Sequence, residues 1–212
     1  MLRRLLRRRP RVLASLDAYR LWANSYPARP HNPLMEVEQA AMLAMMPALN
    51  GRVVLDLACG TGRYGLIALE RGAAKVVAAD NSWEMLTYAE LPDPVCASVE
   101  ALPLRSFSVD IVLCAMAIGH IRSLENVANE IARVLRPGGV ALISDLHPSQ
   151  ALRGAQRTFL ASDGRTYAVE HHIHTLAQSE VVFKAAGLAI TGLAEPAYDG
   201  QPVVVVWQLT KR

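Results

Sequence analysis

The residues best suited to chemistry are two carboxylates that flank a glycine-rich turn. Asp56 lies in an apolar segment, and the turn Gly60-Thr61-Gly62 begins four residues after it. Asp80 stands eighteen residues past Gly62, at the end of a second apolar run. Small residues let the backbone approach a ligand, and a carboxylate on the next strand accepts hydrogen bonds from ribose hydroxyls. The spacing predicts a nucleoside-binding edge on an α/β sheet.

The acid before the turn narrows the choice of nucleoside. Residues 60–65 match the Gly-x-Gly-x-x-Gly spacing of dinucleotide-binding turns. Asp56 would repel a pyrophosphate but attract a cationic amino-acid group. Two acids so placed suit a ligand with an ammonium group, a sulfonium and a ribose, and S-adenosylmethionine carries all three. No Gly-Lys-Ser or Gly-Lys-Thr follows, which excludes a phosphate-binding loop. A dehydrogenase stays open as a further hypothesis.

Four ordered motifs resemble those of the class I S-adenosylmethionine-dependent methyltransferases. The resemblance is strongest to the small-molecule type that includes quinone and malonyl-carrier-protein methyltransferases. The motifs are residues 54–62, the strand end at Asp80, Ala101-Leu102-Pro103-Leu104 before Phe107-Ser108-Val109-Asp110, and Val134-Leu135-Arg136-Pro137-Gly138-Gly139. The resemblance as a whole covers about residues 17 to 210.

The predicted elements place these motifs on one sheet. Strands and helices alternate over residues 53–144, which indicates a parallel sheet. Asn32 and Pro33 predict the start of a helix that runs to about Leu49. Residues 123–135 have helical spacing, and Pro137-Gly138-Gly139 is expected to stop that helix before a strand over 140–144.

The last part of the chain has a different pattern. Residues 157–160 and 165–173 flank a turn and predict a hairpin. Residues 188–193 and 203–209 have no helix between them and predict an antiparallel pair. The expected fold is α/β: a Rossmann-like, doubly wound, mostly parallel seven-stranded sheet with one antiparallel strand near the edge. An N-terminal helical lid and a small hairpin insertion complete it.

The length of 212 residues predicts a single domain after a basic arm. The arm is expected over residues 1–15 and the methyltransferase domain over residues 16–212. Within that domain we expect a helical lid (16–50), a cofactor-binding half (51–146), and a part with the hairpin and the C-terminal strands (147–212).

The resemblance implies a role for each residue around the turn. Asp56 is expected to reach the methionyl ammonium, and Gly60 to pass beneath the methionyl portion. Asp80 is expected to hold both ribose hydroxyls, assisted by Asn81. Either acid can alternatively cap the structure that follows it. Ala58 stands where many members carry glycine, and its methyl group is tolerable if its backbone φ is negative.

The adenine end departs from the family pattern. Members usually place an aspartate after the third strand, but this chain has Ser98 there, and a hydroxyl accepts more weakly than a carboxylate. Ser98 and the backbone of Val99 are expected to bind adenine, and Glu100 is near enough to replace the acid. Met85 is expected on the adenine face, although a core role suits it almost as well.

The sequence contains fewer recognisable motifs for the residues that would face the methyl acceptor. Ala115 is expected to face the transferred methyl group. No Asn-Pro-Pro-Tyr motif is present at this position, which argues against a nucleic-acid or amide acceptor. The resemblance implies a lid helix in which Tyr19, Trp22 and Tyr26 close over the cofactor, whereas a core role fits Trp22 equally well.

His120 is the candidate general base for an acceptor that keeps its proton near pH 7. His147 also follows a strand on the ligand-bearing edge. His171, His172 and His174 form a cluster, but no carboxylate or cysteine completes a metal-binding pattern, so no metal is expected.

The net charge of +3 conceals an uneven distribution. Six arginines and no acid lie in residues 1–12, and removing these six positive charges leaves −3 for the rest of the chain. A mildly acidic body argues against a nucleic-acid-binding surface. Three interpretations of the basic arm stay open: a disordered start, peripheral contact with an anionic membrane, and an organelle transit peptide.

The leading hypothesis is a cytoplasmic methyltransferase, monomer or homodimer, that acts on oxygen or carbon of a small, amphipathic metabolite. The alternatives are a carboxyl methyltransferase of a carrier-bound acyl group and a non-catalytic S-adenosylmethionine-binding module that regulates a partner. The hydrophobic content of 52% suits a sheet buried on both faces.

Overall fold

The computed structural model describes residues 10–212 and contains a seven-stranded sheet with helices on both faces. The predicted α/β fold is confirmed. Over the described residues the strands are β1 (Arg11–Leu13), β2 (Val53–Leu57), β3 (Lys75–Asp80), β4 (Val95–Cys96), β5 (Val109–Ala115), β6 (Leu135–Leu146), β7 (Thr158–Leu160), β8 (Thr166–Val169), β9 (Leu188–Ala194), β10 (Ala197–Tyr198), β11 (Gln201–Pro202) and β12 (Val204–Lys211).

The helices alternate with these strands through the first two thirds of the fold. They are α1 (Ser15–Trp22), α2 (Pro33–Met45), α3 (Arg63–Glu70), α4 (Trp83–Leu86), α5 (Leu124–Val134), α6 (Pro148–Leu152) and α7 (Leu176–Ala185), with short 3₁₀ turns at Ala23–Ser25 and Ile118–His120. No helix within residues 10–212 is long and apolar enough to cross a bilayer.

The large sheet has the strand order β4-β3-β2-β5-β6-β12-β9. All neighbouring strands are parallel except that β12 runs antiparallel to both β6 and β9. The reversed strand therefore lies one place from the edge, as predicted. The strand order proceeds from β2 to β4 toward one edge of the sheet and from β5 onward toward the other edge. The carboxyl ends of β2 and β5 therefore lie beside a crevice, the usual ligand site of such sheets.

Two apolar layers bury the sheet. On one face α5 and α7 contribute Ile131 and Phe183, which pack with Leu55 of β2. On the other face α2 and α3 contribute Met42 and Ala68. Burial of both faces explains the nearly continuous apolar runs of the central strands.

Local signals set the helix starts. The Asn32 side chain accepts a hydrogen bond from Met35 N at 3.0 Å, and Pro33 occupies the first turn of α2, as predicted. Ser123 caps α5 by accepting from Asn126 N at 3.4 Å. The predicted extent of α2 was wrong, because the helix ends at Met45 rather than near Leu49.

The segment Pro137-Gly138-Gly139 lies inside β6, although a stop before the strand was predicted. The helix does end at Val134, but β6 begins directly at Leu135. The pairing of β5 with β6 shifts register between Val109 and Ile111, which accommodates the glycines. A Cβ at Gly139 would lie 2.9 Å from the carbonyl oxygen of Asp110, so the strands approach too closely for a side chain there.

A smaller sheet covers the carboxyl edge, with the order β1-β8-β7. The predicted hairpin is present, and β7 pairs antiparallel with β8. The basic arm predicted over residues 1–15 lies mostly outside the described residues, but Arg11–Leu13 form β1 and pair parallel with Tyr167, Ala168 and Val169. Residues 11–13 are thus part of the folded unit.

Candidate active site

The two predicted carboxylates lie at the ends of adjacent strands and are buried. Asp56 Oδ2 accepts a hydrogen bond from Gly65 N at 2.7 Å, and Oδ1 accepts none from the described residues. Burial raises the pKa of Asp56 to about 7, although the bond from Gly65 and the positive charge of Arg63 oppose that shift. The prediction that Asp56 caps the turn and the prediction that it meets a cation are therefore compatible, one with each oxygen.

Asp80 is held by the backbone of the turn itself. Its Oδ2 accepts from Gly60 N at 2.8 Å, and its Oδ1 accepts from Ser82 N at 2.8 Å. Burial raises its pKa despite these bonds. A carboxylate has about four lone-pair sites, so each oxygen keeps one for a ligand. The amides fix the direction in which those remaining sites point.

The turn after Asp56 has left-handed backbone conformations at three residues, one of which is not glycine. Ala58 has φ +54°, so the condition under which its methyl group is tolerated without strain is not met. Gly60 and Gly62 have φ +57° and +90°. The left-handed region costs a residue with a side chain about 1–2 kcal/mol. Ala58 thus carries backbone strain at the edge of the site.

These elements enclose a cleft of about 820 Å³, including space open to solvent, which we call the cofactor cavity. Most of the predicted site residues line it. They are Tyr19, Tyr26, Asp56, Ala58, Gly60, Asp80, Asn81, Met85, Val99, Ala115 and His120. The structure thus brings together residues that the sequence separates by up to a hundred positions.

Ser98 is the predicted site residue that the cleft does not include. It is exposed, and its hydroxyl accepts a hydrogen bond from Glu100 N at 3.2 Å. Glu100 is also exposed and accepts from the Asn126 side chain at 3.0 Å. Only Val99 of this segment, which is buried, lies in the wall.

A second, larger cavity of about 1400 Å³ adjoins the first, and we call it the acceptor cavity. The two cavities share Tyr26, Met116, His120 and Arg157 in their walls. Met116 has φ +56°. Its backbone N–H donates to Ser144 O at 2.8 Å, which anchors the strained residue to β6.

Arg157 of the hairpin segment is the functional candidate that sequence reasoning missed. Its Nη1 donates to the Tyr19 hydroxyl at 2.5 Å and to the carbonyl oxygen of Met116 at 3.3 Å, and it lies 3.2 Å from His120 Nε2. No carboxylate of the described residues forms an ion pair with it. No local pattern around residue 157 marks this role, because only the fold brings Arg157 beside Tyr19.

His120 is held as a neutral imidazole. Its Nδ1–H donates to the carbonyl oxygen of Glu170 at 2.9 Å, so Nε2 carries the lone pair and accepts from the Tyr19 hydroxyl at 3.0 Å. Burial and the charge of Arg157 lower the pKa of His120 to about 4. Burial also raises the pKa of Tyr19, which stays protonated.

The remaining histidines have structural contacts. His147 Nε2–H donates to Glu195 Oε2 at 2.9 Å, and its Nδ1 accepts from Ser149 Oγ at 2.7 Å at the start of α6, and His147 lines neither cavity. His174 Nε2 donates to the carbonyl oxygen of Ile121 at 2.9 Å, and His171 lines the acceptor cavity. Within residues 10–212 no three His, Cys, Asp or Glu side chains are grouped to hold a metal ion.

A buried polar network ties the lid to the floor of the cleft. Glu38 of α2 is fully buried and accepts from Tyr64 Oη at 3.0 Å and from Ser144 Oγ at 2.6 Å. Its other oxygen lies 2.8 Å from Arg63 Nη2 in an ion pair. Arg63 and Tyr64 also line the cofactor cavity. Loss of Glu38 would leave Arg63 without its partner.

Aromatic side chains form one wall of the acceptor cavity. Trp22 stacks on Phe159 with ring centroids 4.7 Å apart and on Tyr19 at 5.9 Å. Tyr26 meets Trp22 edge to face at 4.9 Å. Trp22 lines the acceptor cavity and not the cofactor cavity, so it joins the lid to the hairpin.

Comparison with known proteins gives this geometry a context. Residues 55–143 match the family model described as a methyltransferase domain. The chain is 35% identical over 156 residues to a malonyl-[acyl-carrier protein] O-methyltransferase of Pectobacterium atrosepticum, and the match covers 66% of this chain and 61% of that protein. An uncharacterized protein of Haemophilus influenzae is 32% identical over 124 residues, covering 53% of this chain and 49% of that one. The chain thus spans about half to three fifths of the length of these relatives.

Solved structures share the fold at lower identity. An S-adenosylmethionine-dependent methyltransferase of Mesorhizobium loti superposes with a TM-score of 0.71 at 22% identity, covering 82% of this chain and 98% of the other. The [4+2]-cyclase SpnF superposes with a TM-score of 0.69 at 16% identity, covering 95% and 97%. The fold is therefore shared with a protein whose name describes a different reaction, and the chemistry must be argued from the site.

Proposed function

Because this chain belongs to the class I S-adenosylmethionine-dependent methyltransferases, we propose that it moves a methyl group from S-adenosylmethionine to a small-molecule acceptor. The observation that carries the proposal is the pair of buried carboxylates on adjacent strand ends, which face one cleft that opens into a second cavity.

The residues of the cleft fit S-adenosylmethionine. Asp56 Oδ1 accepts no hydrogen bond from the described residues and suits the methionyl ammonium. Asp80 keeps lone pairs for the ribose hydroxyls, beside Asn81. A Cβ at Gly60 would lie 3.1 Å from Met85 Cε, so a side chain there would crowd Met85. Glycine keeps the space above the turn open for a ligand. When bound, S-adenosylmethionine supplies a methyl group on a positively charged sulfur, which already activates the carbon for displacement.

The protein's own contribution is alignment and exclusion of water. Met85 and Val99 supply apolar walls for the adenine. Ala115 lines the cofactor cavity, and Met116 lies where the two cavities meet. Tyr19 and Tyr26 belong to the lid segment and cover the cleft. The geometry supports a positioning role for His120, which orients the Tyr19 hydroxyl, in place of the predicted general base.

A carrier-bound acyl carboxylate is the second candidate acceptor. The relative in Pectobacterium atrosepticum, a malonyl-[acyl-carrier protein] O-methyltransferase, favours it. The large acceptor cavity has room for the end of an acyl chain. Parallel assays with free acids and with carrier-linked acids separate the two candidates.

Two measurements test the proposal. Isothermal titration with S-adenosylhomocysteine and with NAD should show binding of the first alone. Incubation with a small-molecule extract and S-adenosylmethionine labelled in its methyl group should transfer label to a small molecule. Preference for NAD would overturn the methyl-transfer reading, and cofactor binding without transfer would favour a non-catalytic regulatory module.

The proposal extends to the cellular compartment, the oligomeric state and the membrane contact of the protein. All three cysteines are free thiols, which suits the reducing cytoplasm. Residues 16–212 are proposed to act as one domain, as a monomer or homodimer. Peripheral membrane contact would depend on the arginines of residues 1–9, and flotation with anionic vesicles tests it.

A further inference from the structure

The geometry points to a free carboxylate on the acceptor, bound by the guanidinium of Arg157 where the two cavities meet. This inference rests on the proposed methyl transfer and names the class of compound that the same site accepts. It also makes Arg157 the residue that determines acceptor specificity.

Arg157 is a cation that no carboxylate of residues 10–212 meets in an ion pair. Arg157 is partly buried and lines both cavities. Its protein contacts all use Nη1, whereas Nε and Nη2 donate to no atom of residues 10–212. A desolvated charge is costly unless it is paired. A guanidinium edge with two free donors matches a carboxylate in a bidentate arrangement.

The neighbouring acid acts on this cation only through its charge and does not bind it directly. Asp145 also lines the acceptor cavity. Its two oxygens accept the backbone N–H groups of Gly119 and Leu146, and it forms no ion pair with Arg157. The carboxylate of Asp145 is thus committed to the backbone, and the position beside Arg157 is left for a ligand.

The site offers no side chain that is well placed to act as a general base. His120 Nδ1 is occupied by Glu170, Nε2 is occupied by Tyr19, and Arg157 disfavours its protonation. The Tyr19 phenol is protonated and itself accepts from Arg157. An acceptor alcohol or phenol needs help to lose its proton, whereas a carboxylic acid is already ionised near pH 7. The site therefore suits an acceptor that arrives as an anion.

The rest of the cavity indicates what the carboxylate is attached to. The rest of the wall is mixed, with polar residues such as Asn32 and Gln150 beside an apolar part. The apolar part contains Trp22, Leu34, Met35, Phe159 and Leu160. The cavity, about 1400 Å³ including space open to solvent, leaves room for an apolar body beyond the carboxylate. The expected acceptor is an amphipathic acid that places its charged end at Arg157 and its apolar part against these side chains.

The reaction balances without a proton. A lone pair of the carboxylate oxygen forms the new O–CH₃ bond while the S–CH₃ bond breaks, and the electrons of that bond stay on sulfur. The sulfonium becomes a neutral thioether, and the carboxylate becomes a neutral ester. The ester has lost the charge that Arg157 binds, so the product is held less tightly than the acid.

The chemical stability of the product tests the acceptor class. The full chain is incubated with a small-molecule extract and S-adenosylmethionine labelled in the methyl group, and the products are treated with base. A methyl ester releases volatile labelled methanol, whereas methyl ethers and C-methyl products do not. Base-labile label supports the inference and base-stable label overturns it. Cofactor binding without transferred label also overturns it, whereas failure to bind S-adenosylhomocysteine removes the proposed function itself.

Substitution of Arg157 tests the assignment of the residue. With an acid found in that assay, Arg157→Gln should lower kcat/KM about 100-fold, the usual scale for losing a buried charge pair. The affinity for S-adenosylhomocysteine should not change. Arg157→Lys should recover part of the activity, and the matched control Arg153→Gln, at an exposed arginine, should behave as the wild type. Weaker binding of S-adenosylhomocysteine by both Arg157 variants would overturn the assignment, because Arg157 would then serve the cofactor.

Discussion

The two cavities differ in how the chain builds them. The cofactor cavity is formed largely by turns that directly follow β2, β3 and β5, and its key bonds join nearby residues, such as Gly65 N with Asp56 and Ser82 N with Asp80. The acceptor cavity depends on contacts between distant segments, such as that of Arg157 with Tyr19, 138 residues apart. The cofactor cavity is thus formed mainly by the edge of the sheet, whereas the acceptor cavity is formed mainly by the lid and hairpin segments that cover this edge.

The two ways of building a cavity suit the binding of two different kinds of ligand. A parallel sheet fixes its carboxyl edge rigidly, which suits a ligand common to many enzymes. Segments that cover the edge can change without disturbing the sheet, which suits a variable acceptor. If this division is correct, substitutions on one side should alter the binding of one ligand and spare the other.

The largest effect is expected at Asp80. In Asp80→Asn the amide nitrogen cannot accept a hydrogen bond, so the N–H of Gly60 or of Ser82 loses its partner. We expect the free energy of unfolding to fall by about 1–3 kcal/mol and the affinity for S-adenosylhomocysteine to fall roughly 100-fold. Urea titration and calorimetry measure the two quantities. Asp199→Asn, in an exposed turn, is the control, and unchanged cofactor affinity in Asp80→Asn would break the division.

The pH dependence of cofactor binding tests Asp56 next. Its folded-state pKa is about 7, so the carboxylate that attracts an ammonium group is protonated as the pH falls through 7. Between pH 8 and pH 6 the affinity for S-adenosylhomocysteine should fall about tenfold relative to Asp56→Asn, which has no such titration. The ligand's own amino group titrates equally in both experiments, so the comparison with the variant cancels its contribution. Parallel curves for both proteins would contradict the role of Asp56.

The same residue links cofactor binding to stability in the ligand-free protein. A pKa raised above the ordinary value of 3.8 means that the folded state binds the proton more tightly, so stability falls as the pH rises from about 4 to 7. Asp56→Asn should escape this loss and unfold at a higher urea concentration than the wild type at pH 8. A lower midpoint for the variant would show that the Gly65 contact matters more than the burial of charge.

Trp22 tests the acceptor side. Trp22→Ala removes the stacking on Phe159 and Tyr19 that joins the lid to the hairpin. We expect KM for the acceptor to rise about tenfold, since aromatic contacts contribute about 0.5–1.5 kcal/mol beyond burial. S-adenosylhomocysteine affinity should stay the same. Trp83→Ala, at a tryptophan that is 64% exposed, is the control. A large loss of cofactor affinity in Trp22→Ala would show that the two sides are not separable.

The smallest effect is expected at Ala58. Because φ is +54° there, Ala58→Gly relieves backbone strain but adds freedom to the unfolded chain. The net gain should be about 0.5 kcal/mol, or about 1–2 °C in Tm. Ala186→Gly, at an ordinary φ of −76°, should instead destabilise the protein. Calorimetry of both variants decides whether Ala58 is strained.

The cofactor side could be predicted because its signals are local. The order of apolar runs showed that Asp56 and Asp80 end neighbouring strands, and such ends always meet at one edge. Ser98 was misplaced for a related reason. It was assigned by position in a motif, but the short β4 ends at Cys96, and an isolated bridge of Ser98 with Ala101 turns the chain so that only Val99 enters the wall.

Arg157 could not be predicted for the opposite reason. Its own segment reads as an ordinary hairpin strand, and its neighbours in space come from α1 and from the turn after β5. The direction of a hairpin over a sheet edge depends on tertiary packing, here on Phe159 against Trp22. Charge alone did not distinguish Arg157 from the exposed arginines around it.

The pairing of β1 with β8 has a consequence for protein synthesis. Arg11 emerges from the ribosome early, but its partner Tyr167 follows 156 residues later. At about 5–20 residues per second, the first strand waits roughly 8–30 seconds for the hairpin. During that interval β2 to β6 are already synthesised, while the covering sheet still lacks its later strands. The segments that carry Asp56 and Asp80 therefore leave the ribosome well before those that complete the wall of the acceptor cavity.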